Sequence, residues 1–287
     1  MIPGIYVSQW QHEIDWREVK RSGVKFAFIK ATEFPEKQTS LSVDNKVQEN
    51  VEGAKANYIH WSAVHYFRSH VDPILQAQVF CETVGEFSSL PPVLELKSAG
   101  ARGERLNYKV RQLLDEVEKI TARQPIICTS EGFWRGSMAF EKSAHTDWAV
   151  EYPLWMTQFT TLWPNPVYPW AVWDFWQYSD NGRIPGIQTG VNLNWFSGSE
   201  GELLEKFIEQ DKERYPVYVF EDEEYGRIPV VISKTPPDIQ LVDEQYKGDY
   251  QEAAEKETAP EGFKPIEKSS NPKYSSSQEN WIKEYFF

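Results

Sequence analysis

The chain has 287 residues, 40% apolar and 25% charged, which is the composition of a globular protein with one large core and room for an appendage. No run of about 18 apolar residues exists, so a membrane-spanning helix is excluded, and a net charge of −13 opposes binding to nucleic acid phosphates or anionic lipid. In chain order, β-type runs fall at Gly4 to Trp10, Phe26 to Thr32, Ser62 to Phe67, Pro92 to Lys97, Pro125 to Ser130, Tyr152 to Phe159, Ala171 to Ser179 and Val191 to Phe196. Eight strands alternating with helices predict an α/β fold with a parallel barrel.

Between these runs, Leu106, Val110, Leu113, Leu114, Val117 and Ile120 form one helical apolar stripe, and Asp15 with Glu18 makes an N-terminal cap signature closed by Gly23. From Tyr152 to Ser179 helical periodicity is absent and Pro164, Pro166 and Pro169 intervene, so loops are expected there and an irregular barrel with fewer than eight helices. Met1 to Ile5 has no basic segment followed by an apolar stretch; no signal peptide is expected, and synthesis in the cytoplasm is. Cys81 and Cys128 lie in apolar patterns and read as buried free thiols, and the five histidines show no metal-ligand spacing, so neither metal nor cofactor is inferred. After Arg214 the composition changes: residues 215–287 hold 15 acidic and 8 basic residues. This acidic extension opens with a possible hairpin, becomes rich in Lys, Glu, Ser and Pro, and ends in Trp281, Tyr285, Phe286 and Phe287, rings that suit docking to other protein chains of an assembly.

The segments Gly4-Ile5-Tyr6-Val7-Ser8-Gln9-Trp10-Gln11, Ile14-Asp15-Trp16 and Gly23-Val24-Lys25-Phe26-Ala27-Phe28-Ile29-Lys30-Ala31-Thr32-Glu33 together resemble glycoside hydrolase family 25, the muramidases (lysozymes) that cut peptidoglycan. The resemblance continues through Asn50, Ala54, His65-Tyr66-Phe67, Gln76-Ala77, Pro125-Ile126-Ile127, Tyr152-Pro153-Leu154-Trp155, Trp176-Gln177-Tyr178-Ser179, Pro185-Gly186-Ile187 and Val191-Asn192-Leu193-Asn194, covering residues 4 to 198. It implies a flattened, irregular, TIM-like β/α barrel over residues 1–214, with the extension over 215–287 and a glycan cleft at the C-terminal ends of the strands.

Glycoside hydrolysis of this kind needs a carboxylic acid to protonate the leaving oxygen and a carboxylate to stabilise the cationic sugar or hold its acetamido group. The resemblance places these as Asp-x-Glu on the fourth strand, with a further Asp in the first-strand motif and another in the last. The corresponding residues here are Glu95, Lys97, Tyr6 and Asn192. Glu95 and Lys97 alternate with Leu94 and Leu96, so they share a strand face and are expected to form an ion pair. An ammonium with a reference pKa of roughly 10.4 is a poor proton donor near neutral pH, and Asn192 carries no charge. Glu33, in the retained Thr-Glu motif, is the nearest substitute acid. Trp10, Tyr66, Trp155, Trp176 and Gln177 match positions that line or support the glycan cleft in the family; barrel packing is the competing reading for each. Asp174 is read either as a cleft residue or as a hydrogen-bonding partner for strand ends.

From these four positions the leading expectation is a protein that is not an enzyme: an inactive muramidase-like structural or binding component, placed in a bacteriophage virion or tail assembly because family members without a signal peptide are commonly phage-encoded. The rival expectations are an active muramidase with relocated carboxylates, Glu33 and Glu95, and a cell-wall module that binds peptidoglycan or another glycan without cleaving it.

Overall fold

The structure is a computed structural model that describes residues 1–208 except positions 37, 86, 88, 98, 99, 140–144, 161, 162 and 165, and beyond these only the strand residues 217–222, 226–231 and 263–265. The chain divides into two units, residues 1–197 and 198–287. The change of composition places a boundary after Arg214, whereas here the second unit begins before its helix.

In the first unit the strands are β1 (Ile2–Val7), β2 (Phe26–Glu33), β3 (Ser42–Val43), β4 (His60–Tyr66), β5 (Val93–Leu96), β6 (Ile126–Thr129), β7 (Leu154–Thr157), β8 (Phe175–Gly182) and β9 (Val191–Phe196). The helices are α1 (Trp16–Arg21), α2 (Val47–Ala56), α3 (Pro73–Val84), α4 (Gly103–Thr121) and the single turn α5 (Glu131–Phe133), which continues as a π-helical turn over Trp134–Met138. Eight strands close a barrel in the order β1-β9-β8-β7-β6-β5-β4-β2, with β1 pairing back onto β2 and the two-residue β3 lying along β2. The all-parallel expectation is corrected at β9, which runs antiparallel to both β8 and β1. The chain returns from β8 within eight residues, too few for the helical crossover that parallel neighbours need.

Local sequence explains the helices. Asp15 caps α1 by accepting from the Glu18 amide at 3.1 Å, and Gly23, at φ +94°, takes the left-handed conformation that ends it. The apolar stripe of α4 is buried at Leu106, Val110, Leu113, Leu114 and Val117. Ile120, the last residue of that predicted stripe, is instead exposed one residue before the helix ends.

Strand alternation sorts side chains to two sides. Outward residues such as Ile5, Val7, Ala27, Ile29, Ala63, Leu94 and Ile127 join the helices in one apolar layer, each full burial of a Val, Leu or Ile contributing about 1.5–3 kcal/mol. Inward, Phe26, Phe28, Phe175 and Phe196 plug the barrel, with ring centroids 5.0–5.4 Å apart. Gly4 makes the plug possible: a Cβ there would stand 2.3 Å from the Phe26 ring. With the interior filled, the polar inward residues collect at the C-terminal ends of the parallel strands.

The second unit contains α6 (Glu200–Phe207), capped reciprocally by Ser199 and Glu202, and a three-stranded sheet in which β10 (Val217–Asp222) lies between β11 (Gly226–Val231) and β12 (Phe263–Pro265), antiparallel to both. β10 and β11 are the two runs read from the sequence as a possible hairpin, and they pair antiparallel. Trp281, Tyr285, Phe286 and Phe287, assigned to docking from the sequence, lie outside the described residues.

Candidate active site at the barrel mouth

The registers of β2, β4 and β5 align Glu33 with Tyr66 and Tyr66 with Glu95, so two carboxylates and a phenol share one row at the mouth. The Glu95 side chain is 4% exposed and both its oxygens are engaged. Oε2 accepts the Tyr6 hydroxyl at 2.9 Å, and Oε1 lies 2.7 Å from Lys97 Nζ. The expected ion pair of neighbouring inward residues is present.

Burial alone would favour a neutral Lys97, but the touching Glu95 carboxylate outweighs it and holds the ammonium above the usual lysine pKa. Burial, reinforced by Glu95, pushes the Tyr6 phenol well above its ordinary value. At neutral pH Lys97 is therefore an ammonium and Tyr6 a neutral phenol. Tyr6 also packs edge-on against Trp155 at 5.3 Å, which fixes its ring across the cleft floor.

Glu33 forms the second half of the site. Its carboxylate lies 2.9 Å from Lys30 Nζ and 3.5 Å from Arg68 Nη2. Burial would raise this carboxyl, yet the two cations prevail and hold it below the usual glutamate value. Between the two carboxylates stands Tyr66, with the Arg68 guanidinium 4.3 Å from its ring centroid and its phenol pushed upward by burial and then by Glu95. Asp44, buried between β3 and α2, accepts from the Gln9 and Lys46 amides at 2.9 and 3.0 Å, tying the turn after β1 to the start of α2 beside Tyr6. On the neighbouring strand β9, Asn192 is paired with Tyr6, and Asn194 accepts from Trp155 Nε1 at 3.0 Å.

The sequence profile described as glycosyl hydrolases family 25 matches residues 5–187 of this chain. The chain belongs to glycosyl hydrolase family 25. It is 36% identical over 220 residues to "Uncharacterized protein YegX" of Escherichia coli O157:H7, covering 74% of this chain and 75% of that one. It is 31% identical over 224 residues to lysozyme M1 of Streptomyces globisporus, covering 71% and 70%. Among solved structures it is similar to the bacterial lysozyme of Streptomyces coelicolor, with a TM-score of 0.66 and 27% identity over 72% of this chain and 97% of that one.

These matches correct one expectation drawn from the sequence. A family of glycosyl hydrolases, with lysozymes among the relatives, points to an enzyme, against the reading that the chain is not one. That reading weighed four motif positions one at a time. Folding assembles more: the family 25 barrel brings Glu33 and Asp44 to the same mouth as Glu95.

The family 25 frame also sorts the remaining candidates. Tyr6, Glu33, Tyr66, Glu95 and Lys97 come together, with Asn192 beside Tyr6. Trp10 stands at the rim on the turn after β1, 68% exposed. Trp155 does not line the cleft; it is fully buried on Phe28, at 4.1 Å, as barrel packing. Trp176 faces away from the mouth, on the outer side of β8 among Trp163, Trp173 and Tyr178. Gln177, its neighbour, points inward and is fully buried with no hydrogen-bond partner for either amide atom among the described residues. Asp174 lies before β8 at the opposite end of the barrel, accepting from the Leu154 amide at 3.1 Å; it is a strand-end partner, not a cleft residue.

Sequence reasoning missed Lys30, Arg68 and Asp44. Lys30 was legible, since it continues the inward alternation of Phe26 and Phe28. Asp44 was not, because only the fold places it beside β1. Cys81 and Cys128 are free and buried, as expected, and Cys128 sits in the barrel interior 3.7 Å from the Thr157 hydroxyl.

Proposed function

We propose that this chain is a muramidase-type glycosidase acting on peptidoglycan, with Glu95 and Glu33 as its working carboxylates. The observation that carries this reading is the shared row across β2, β4 and β5 that bears Glu33 and Glu95 two strands apart. Two strand spacings of about 4.8 Å put their Cα atoms roughly 9.5 Å from each other, on either side of Tyr66, and a pair of carboxyl groups at one cleft is what glycoside hydrolysis requires. Glu95, held in place by Lys97 and Tyr6, faces the anomeric carbon and takes the proton of the incoming water as its oxygen bonds to that carbon. Glu33 delivers a proton to the leaving oxygen as the glycosidic C–O bond breaks.

Glu33 can donate only after acquiring a proton that Lys30 and Arg68 oppose. Entry of the glycan therefore has to loosen those two contacts, and turnover rises as pH falls below neutral toward the depressed Glu33 pKa. Incubation with purified peptidoglycan tests this. Release of reducing ends that is lost in both Glu95→Gln and Glu33→Gln is the expected result. No release by the wild-type protein between pH 4 and 7, under conditions where a family 25 lysozyme is active, overturns it, and retention on the glycan without release would leave a binding module.

A further inference from the structure

The outer face of β8 and β9 has no part in the chemistry at the mouth. Outward side chains of the other strands join an apolar layer with the helices, but β7 leads to β8 with no α-helix among the described residues, and β8 returns directly to β9. In place of a helix the sheet carries rings. Trp176, Tyr178 and Trp195 follow one another at centroid separations of 5.6 and 5.7 Å, and Trp163, from the β7–β8 connection, stands 6.2 Å from Trp176. With Phe159 and Ser179 they line an open groove of about 690 Å³, within the roughly 300–1,000 Å³ usual for small-ligand sites. Trp163 is 65% and Phe159 53% exposed, so the groove presents ring surface to solvent.

We propose that this groove is a second carbohydrate site, separate from the mouth, that takes uncharged N-acetylhexosamine rings of a glycan strand by stacking. Charge complementarity selects the occupant. Among the described residues no charged side chain lines the groove, and Met1, which does line it, brings only the chain's α-amino group; on a protein of net charge −13 a single ammonium gives a polyanion or a charged peptide little to pair with. A pyranose offers an apolar C–H face and a polar rim, matching rings whose faces are apolar and whose edges carry the polar atoms. The Trp176 indole N–H already donates to the Gln158 carbonyl at 2.8 Å, which fixes this buried ring as the floor behind the exposed rings of Trp163 and Phe159. The inference deepens the glycan reading of the mouth, and its test separates the two.

The test is an NMR titration of the full-length protein, following tryptophan indole signals, with the uncharged trimer of N-acetylglucosamine as probe. Saturable shifts at Trp163 and Trp195 are expected, with affinity falling at least tenfold in Trp163→Ala and largely kept in Trp163→Phe. Trp163→Ala should also lose retention on insoluble peptidoglycan while its rate on soluble fragments stays unchanged; the Phe variant and a thermal midpoint guard against a folding defect. Shifts confined to Trp10 overturn the groove and leave the mouth standing. Shifts at Trp163 and Trp195 in a protein without turnover uphold the groove and overturn the mouth. No shift at any indole, or groove shifts that track protein concentration alone, overturns the proposal, the latter in favour of self-association.

Discussion

The barrel mouth and the outer face of β8–β9 sit on one sheet yet follow opposite physical rules. At the mouth every charged group is already committed: Glu95 to Tyr6 and Lys97, Glu33 to Lys30 and Arg68. On the outer face the polar edge of the buried Trp176 is satisfied by backbone, while the rings of Trp163 and Phe159 stay open. A glycan entering the mouth must exchange ion pairs for its own contacts, whereas one settling on the rings displaces only water. The difference teaches a division of labour. Orientation and charge stabilisation belong to the preorganised mouth, and unselective holding of sugar rings belongs to the aromatic surface.

The largest effect that sharpens this contrast is at Glu95. Glu95→Gln keeps the shape but removes the charge, and reducing-end release from peptidoglycan should fall by roughly 10²- to 10⁴-fold, the scale of a lost acid–base group. Retention on insoluble glycan should be unchanged. Retained turnover would break the comparison, because the committed carboxylate would then be structural. Next in size is Lys97→Met, which strands Glu95 with Tyr6 alone; since Lys97 keeps a quarter of its side chain in solvent, a loss of about 3 kcal/mol in urea unfolding is expected, the low end for a broken buried pair. The double variant Lys97→Met with Glu95→Leu should recover much of that loss, and a double as unstable as the single would show that packing, not the stranded charge, sets it.

Much of this contrast was legible in the sequence, and the limits have physical causes. Alternation in Leu94-Glu95-Leu96-Lys97 was enough to foresee the ion pair, because two inward residues on one strand meet whatever surrounds them. The same alternation could have separated Trp176 from Gln177, but a motif read as a block assigned both to the cleft. Strand direction was harder. A period of two looks the same in parallel and antiparallel pairs, so the direction of β9 follows from its short return from β8 and not from its alternation. Asp44 was out of reach, since its place beside Tyr6 depends on how the β2–α2 segment crosses the barrel end.

His65 separates the scaffold from the site as pH changes. On the outer side of β4 its ring nitrogens meet the Thr32 hydroxyl at 2.8 Å and the Gln76 carbonyl oxygen at 3.1 Å, with the Phe80 ring alongside. Burial lowers its pKa to about 4, against the opposing pull of Gln76 and Glu33. The unfolded chain, titrating near 6.5, then binds more protons than the folded one between the two values, so stability is full above about pH 6.5 and is lost as pH falls through that window. Between pH 7.5 and 5 the loss should be about 2 kcal/mol, measured by urea unfolding. His65→Gln should flatten that part of the curve even if less stable throughout; an unchanged slope would assign the acid lability to other groups. Turnover is expected to rise over the same range, so the two pH profiles should cross.

The smallest expected effect is the most selective. Trp163 stands 65% exposed, with its ring centroid 5.5 Å from that of Trp173 and 6.2 Å from that of Trp176, so in the free protein it covers little that its neighbours do not already shield. Trp173 and Trp176 are each only 5% exposed and take their burial from the sheet and from each other, with centroids 5.9 Å apart. Trp163→Ala should therefore change unfolding free energy by about 0.5 kcal/mol or less, as for surface positions outside any network. The ring is nevertheless placed as one wall of the groove, and its loss should act on retention of insoluble glycan. A destabilisation of 2 kcal/mol or more would mean that Trp163 is part of the core and that the outer face is packed rather than open, which would erase the difference from the mouth. A silent thermal midpoint with weakened retention would make the rings a surface kept for something other than folding.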